Sequence, residues 1–151
     1  MVNSAQTLRL MAALLLATAS ALAAAGDGVP ADGQAARSIE RGRYLARIAA
    51  CNDCHTPGYA QSGGQVAEEA WLTGDRLGWR GPWGTTYPAN LRLALSRLSE
   101  DEWLHNARTV QYRPPMPWFI LRDMSDEDLR ALYRFVRALG PAGEPAPAYL
   151  P

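Results

Sequence analysis

The stretch Cys51-Asn52-Asp53-Cys54-His55 decides how the rest of the chain is read. Thiols at i and i+3 of a helical turn point to one side, and an imidazole follows directly. Several chemistries use such a set. A thioredoxin-like thiol pair has this spacing but expects a preceding strand in a βαβ context, and none is visible. Zinc would draw on Cys51, Cys54, His55 and His105, yet adjacent Cys54 and His55 make awkward corners of one tetrahedron. A chance match is the third alternative. The fourth is covalent attachment of one haem, with both thiols adding to its vinyl groups and His55 supplying a nitrogen to the iron.

Upstream, residues 1–25 read as a secretory signal peptide. Arg9 precedes an apolar run from Leu10 to Ala17, and Ala21-Leu22-Ala23 and Ala23-Ala24-Ala25 both fit an A-x-A cleavage site. The run is rich in Ala and shorter than the roughly 20 apolar residues of a typical membrane span, which disfavours an uncleaved anchor. The expected location is therefore the periplasm, with no integral membrane segment after cleavage. Residues 26–37 are small and polar and read as a flexible leader.

Composition narrows the function classes. A chain of 151 residues allows one domain. Its 15 basic residues balance 15 acidic ones, which argues against a nucleic-acid binder. All the basic residues are arginine, so a Lys Schiff base and a P-loop Lys are excluded. Two cysteines are too few for a disulfide scaffold.

The domain proper spans residues 38–141. Ser38 is expected to cap a helix from Ile39, with Ile39, Leu45 and Ile48 as its apolar stripe and Cys51–His55 as its close. Thr56-Pro57-Gly58 breaks it. Residues 57–90 look mostly irregular, and a loop that long suits wrapping a large apolar ligand. A short helix fits Leu91–Leu98. Ser99 and Glu102 form a capping box for a helix to about Val110, with Trp103 and Ala107 inward. Ser125 caps the clearest amphipathic helix, with Leu129, Leu132, Tyr133, Val136 and Leu139 on one face and Gly140-Pro141 as its stop. Residues 142–151 form a Pro-rich, extended tail. No segment alternates with a strand period, so the fold class is all-α with long loops.

An iron held by one His needs a sixth ligand or an open site. Met116 is flanked by Pro115 and Pro117, which stiffen its loop, and a thioether is a soft, neutral ligand that raises the reduction potential. Met124 reads as packing beside a helix cap, and His105 as a solvated surface histidine. The five tryptophans all fall between Trp71 and Trp118, where they are placed to shield a porphyrin. Trp83, Tyr87, Asn90 and Arg113 are donors suited to pairing the haem propionates, as is Arg80. A backbone carbonyl near Pro82-Trp83-Gly84 is a candidate acceptor for the second ring N–H of His55.

These residues resemble the class I c-type cytochromes, and more narrowly the small bacterial cytochrome c domains found alone or as subunits of periplasmic dehydrogenases. The matching pieces are Gly42-Arg43-Tyr44-Leu45 before the Cys51–His55 motif, Gly81 to Leu91, Arg113 to Trp118, and the helix from Met124 to Pro141. The resemblance implies crossing N- and C-terminal helices beside one covalent haem c, with Gly42 allowing close approach to Tyr133 or its neighbours. It implies thioether bonds at Cys51 and Cys54, and His55 and Met116 as axial ligands of the iron. The implied function is one-electron transfer between redox partners such as a dehydrogenase or oxidase, without catalysis of its own. An electron-accepting subunit of a dehydrogenase complex is the first alternative, motivated by the Pro-rich tail and the apolar Leu91–Leu98 segment. A ligand-sensing haem protein with a displaceable Met116 is the second.

Overall fold

The computed structural model describes residues 31–151, so the signal segment and the first part of the leader lie outside the described residues. Helix α1 spans Ala31–Ile48. It starts well before Ser38, because Ala31, Gln34, Ala35, Ala36 and Arg37 favour helix strongly enough to carry Gly33. The described part of the expected leader is thus helical. Ser38 is not the cap; its hydroxyl accepts a hydrogen bond from Arg134 Nη1 at 3.2 Å.

Ala50 takes a left-handed conformation, φ 58°, and separates α1 from the single helical turn α2, Cys51–His55. The expected continuous helix is therefore two elements with a sharp joint. The long loop that follows holds a 3-10 turn at Glu68–Ala70 and a small hairpin. Strands β1, Trp79–Gly81, and β2, Gly84–Thr86, pair antiparallel with Arg80 opposite Thr85. Strands this short carry too little alternation to be seen in the sequence.

Four helices complete the chain: α3, Leu91–Ser96; α4, Glu100–Thr109; α5, Trp118–Asp123; and α6, Asp126–Leu139. The Ser99–Glu102 capping box forms as expected, with both reciprocal bonds present. Ser125 accepts from Asp128 N at 3.1 Å and starts α6. Helix α5 has no counterpart among the expected elements; it begins directly after Pro117, where the proline-rich run ends.

Residues Ala35–Pro151 make one compact unit. Its core gathers Leu45, Trp71, Leu72, Leu95, Trp103, Leu129 and Phe135. Helices α1 and α6 meet at Gly42: a Cβ there would lie 2.0 Å from Ala131 O and 2.6 Å from Phe135 Cβ. Any side chain at Gly42 would force the helices apart. The contact falls on Ala131 and Phe135, the neighbours of Tyr133, whose own hydroxyl donates to Leu98 O at 2.7 Å.

Helices α3 and α6 cap each other. Buried Arg92 of α3 donates to the carbonyls of Leu139 and Gly140 at the end of α6, and to Glu69 O at 2.7 Å. Arg137 of α6 donates to Leu95 O at 3.2 Å and Ser96 O at 3.0 Å, at the end of α3. Cations at helix C-termini satisfy orphan carbonyls and suit the dipole. Within the Leu91–Leu98 segment, Leu95 is buried and Leu91 and Ala94 pack against the core.

Residues 142–151 are docked rather than free. Asn90 Nδ2 donates to Ala142 O at 2.8 Å and Glu144 O at 3.1 Å. Leu150 and Thr85 exchange backbone hydrogen bonds of 2.7 and 3.1 Å. Tyr149 donates its hydroxyl to Trp83 O at 2.7 Å. Among the described residues, no helix is long and apolar enough to cross a membrane.

Candidate functional site

The left-handed Ala50 turns the chain so that Cys51–His55 starts a fresh helical turn beside the core. Asn52 and Thr56 lock that turn from inside. Thr56 Oγ1 donates to Asn52 Oδ1 at 2.7 Å and accepts from Leu72 N at 2.8 Å, and both side chains are buried. Gly74 N donates to His55 O at 2.8 Å and ties the next loop to the motif. Two small polar residues around a motif are the only sign of this lock in the sequence.

His55 is buried, with 8% of its surface exposed. Its Nδ1 lies 2.7 Å from Ala89 O. With Nδ1–H as donor, Nε2 keeps its lone pair for a metal. The acceptor is Ala89, not a carbonyl near Pro82; Trp83 O is taken by Tyr149. A backbone carbonyl carries no side-chain signature, so nothing in the sequence marks Ala89. Burial lowers the His55 pKa, opposed by the Ala89 hydrogen bond, and so favours the neutral imidazole that ligates metals.

Both cysteines are free thiols. Burial pushes Cys51 up to about 11 and raises Cys54 as well. A catalytic thiol pair needs a depressed pKa, and burial acts here in the opposite direction. Among the described residues, no three His, Cys, Asp or Glu side chains gather to hold a metal ion. His105 is exposed on α4. These observations leave the thioredoxin-like and zinc readings without a site.

Met116 is half-buried and packs against the same core as Cys51. Its amide donates to Arg113 O at 3.2 Å, and its carbonyl accepts from Trp118 N at 2.9 Å. The loop is thus closed on itself just before α5. Met124 also lies against the core, where it ends α5.

The other donors separate. Asn90 is a structural clamp rather than a propionate partner: its Oδ1 accepts from Leu93 N at 3.0 Å, and its amide nitrogen holds Ala142 and Glu144. That role is hidden in the sequence because the partners are remote. Arg113 is exposed, and its guanidinium carbon lies 4.1 Å from the centre of the Tyr149 ring. Tyr87 lines a cleft of about 290 Å³ with Ala89, Leu93, Arg97 and Pro147. That cleft includes none of Cys51, Cys54, His55 and Met116, so it is not the attachment site. Trp71 and Trp103 are core residues whose indoles donate to Val66 O and Leu129 O at 2.8 and 2.9 Å.

Trp83 Nε1 and Thr86 Oγ1 are buried and have no hydrogen-bond partner. Buried polar groups are nearly always satisfied, so this pair on the hairpin fits a ligand that brings acceptor oxygens. Haem propionates are acceptors of that kind, and the two thiols and the oriented imidazole suit the attachment. The residues present therefore fit a covalently bound haem c, with Cys51, Cys54 and His55 as its motif.

Comparison with known proteins agrees. The family profile described as "Cytochrome c" matches residues 39–140. The chain is 27% identical over 127 residues to a subunit of nicotinate dehydrogenase from Pseudomonas putida, covering 75% of this chain. The match spans 10% of that protein's length. No solved structure matches.

Proposed function

The chain belongs to the cytochrome c family, and we propose that it is a periplasmic carrier of single electrons whose iron is held by His55 and Met116. When bound, haem c supplies a one-electron ferric/ferrous couple. The chain's own residues anchor, orient and shield it. Cys51 and Cys54 provide the two thioether sulfurs from one helical turn. Ala89 O holds the proton of His55 on Nδ1 and leaves Nε2 as the ligand atom. That hydrogen bond also raises ligand basicity, a common way to tune a haem iron. It is the observation that carries the reading most directly.

Met116 supports the finer statement through its chemistry and its enclosure. A neutral thioether favours the ferrous state, and Pro115 and Pro117 limit how far the loop rearranges between oxidation states. The signal-like residues 1–25 support a periplasmic location. Absorbance spectra of the purified holoprotein test the ligand assignment. The ferric form is expected to show the sulfur-to-iron charge-transfer band, and Met116→His is expected to abolish it and lower the potential. A wild-type spectrum without that band, unchanged by Met116→His, refutes Met116 as ligand.

A second reading is that this chain serves a dehydrogenase as its electron-accepting cytochrome subunit. The match to the nicotinate dehydrogenase protein of Pseudomonas putida supports it. Gentle purification from native periplasm or membranes decides: co-elution with a dehydrogenase supports it, and a solely free monomer refutes it.

A further inference from the structure

Segment 142–151 contacts Asn90, the hairpin and Arg113, and neither its sequence nor the family assignment accounts for this. Its beginning is held by the amide of Asn90, the residue next to the His55 acceptor Ala89. Its end lies on the hairpin: Leu150 pairs with Thr85, and the Tyr149 hydroxyl donates to Trp83 O at 2.7 Å. The fit there is close, since a Cβ on Gly84 would come within 2.3 Å of Leu150 O and 2.6 Å of the Tyr149 hydroxyl. Gly84 also has φ 91°, a conformation that favours glycine. On its other side the Tyr149 ring carries the Arg113 guanidinium at 4.1 Å, and Arg113 O accepts from Met116 N at 3.2 Å.

A chain of contacts therefore runs from the hairpin through Tyr149 and Arg113 to Met116. The geometry points to Tyr149 as a positioning residue: segment 142–151 is a strap that clamps the Met116 loop to the hairpin and so holds the thioether in its ligating position. This rests on Met116 being an axial ligand. Tyr149 acts on Met116 through Arg113. Its two contacts have separable chemistry. The ring face attracts the guanidinium, and the hydroxyl fixes the ring to the hairpin.

The test is competition for the sixth position in the ferric holoprotein, with imidazole as the probe. Imidazole binds only when Met116 leaves, so its apparent affinity reports the fraction of Met116 released. Tyr149→Ala removes both contacts and is expected to tighten imidazole binding about tenfold and to weaken the sulfur-to-iron band. Tyr149→Phe keeps the ring and is expected to give about a threefold change. If Tyr149→Ala does not accumulate as holoprotein, Tyr149→Phe alone decides. Unchanged imidazole affinity, even with a lowered Tm, overturns the strap and leaves Tyr149 a merely structural residue. Absence of the band in the wild type overturns the Met116 assignment instead, so the two failures are distinguishable.

Discussion

His55 and Met116 are held by different kinds of structure. The His55 turn is fixed from within by the Asn52–Thr56–Leu72 hydrogen bonds and by backbone carbonyls and amides at His55, Gly74 and Ala89. Nearly all of that is buried. The Met116 loop is closed by two of its own backbone hydrogen bonds and reaches the hairpin through the exposed Arg113 and Tyr149. Breaking hydrogen bonds inside a buried network is costly, whereas an exposed cation over a ring contributes about 0.5–1 kcal/mol. One side of the site is thus built into the core, and the other is fastened from outside. Under stress, the Met116 side should yield first.

The largest expected effect removes the motif itself. The Cys51→Ser/Cys54→Ser variant should lose haem staining on a denaturing gel altogether, because the chain has no other cysteine to form a thioether. Next comes the buried network. Thr56→Val keeps the shape but leaves Asn52 Oδ1 and Leu72 N unpaired, which should cost about 2–3 kcal/mol in urea unfolding. Arg113→Ala should cost about 0.5–1 kcal/mol in the same measurement. If Arg113→Ala proves as costly as Thr56→Val, the contrast between the two sides fails.

The smallest effect lies away from both sides. Burial acts to raise the Glu100 pKa, but hydrogen bonds from Arg130 and Arg134 outweigh it and leave the carboxyl below its ordinary range. A depressed pKa stabilises the fold above the ordinary carboxylate pKa of about 4.3, and that contribution is lost as pH falls through the folded value. Urea midpoints from about pH 6 down to about pH 3 should therefore fall slightly less steeply in Glu100→Gln. The ion pairs are partly solvated, so the difference should be small. An unchanged slope would remove Glu100 from the acid response.

Local signals are legible in the sequence. The spacing of Cys51, Cys54 and His55 marks the attachment turn, and Ser99 and Ser125 mark helices α4 and α6 because caps are read over four residues. Interactions between remote segments are not legible. Asn90 reads as a free donor, yet its partners lie beyond residue 140. Proline content makes residues 142–151 read as a loose tail, since neither Tyr149 nor Leu150 announces a partner. Phe135 sits off the expected apolar stripe of α6, but α1 approaches at Gly42 and buries it. Ala89 acts through its backbone, which a side-chain pattern cannot reveal.

The reciprocal arginines of α3 and α6 have a kinetic consequence. Opening the last turn of α6 withdraws Arg137 from the end of α3, and it also deprives Arg92 of Leu139 and Gly140. The end of α6 therefore cannot fray without uncapping the end of α3. In native-state hydrogen exchange, the amides of Arg97–Leu98 and of Arg137–Leu139 should then exchange as one cooperative unit with a common opening free energy. Arg137→Met should split that unit into two, each opening on its own.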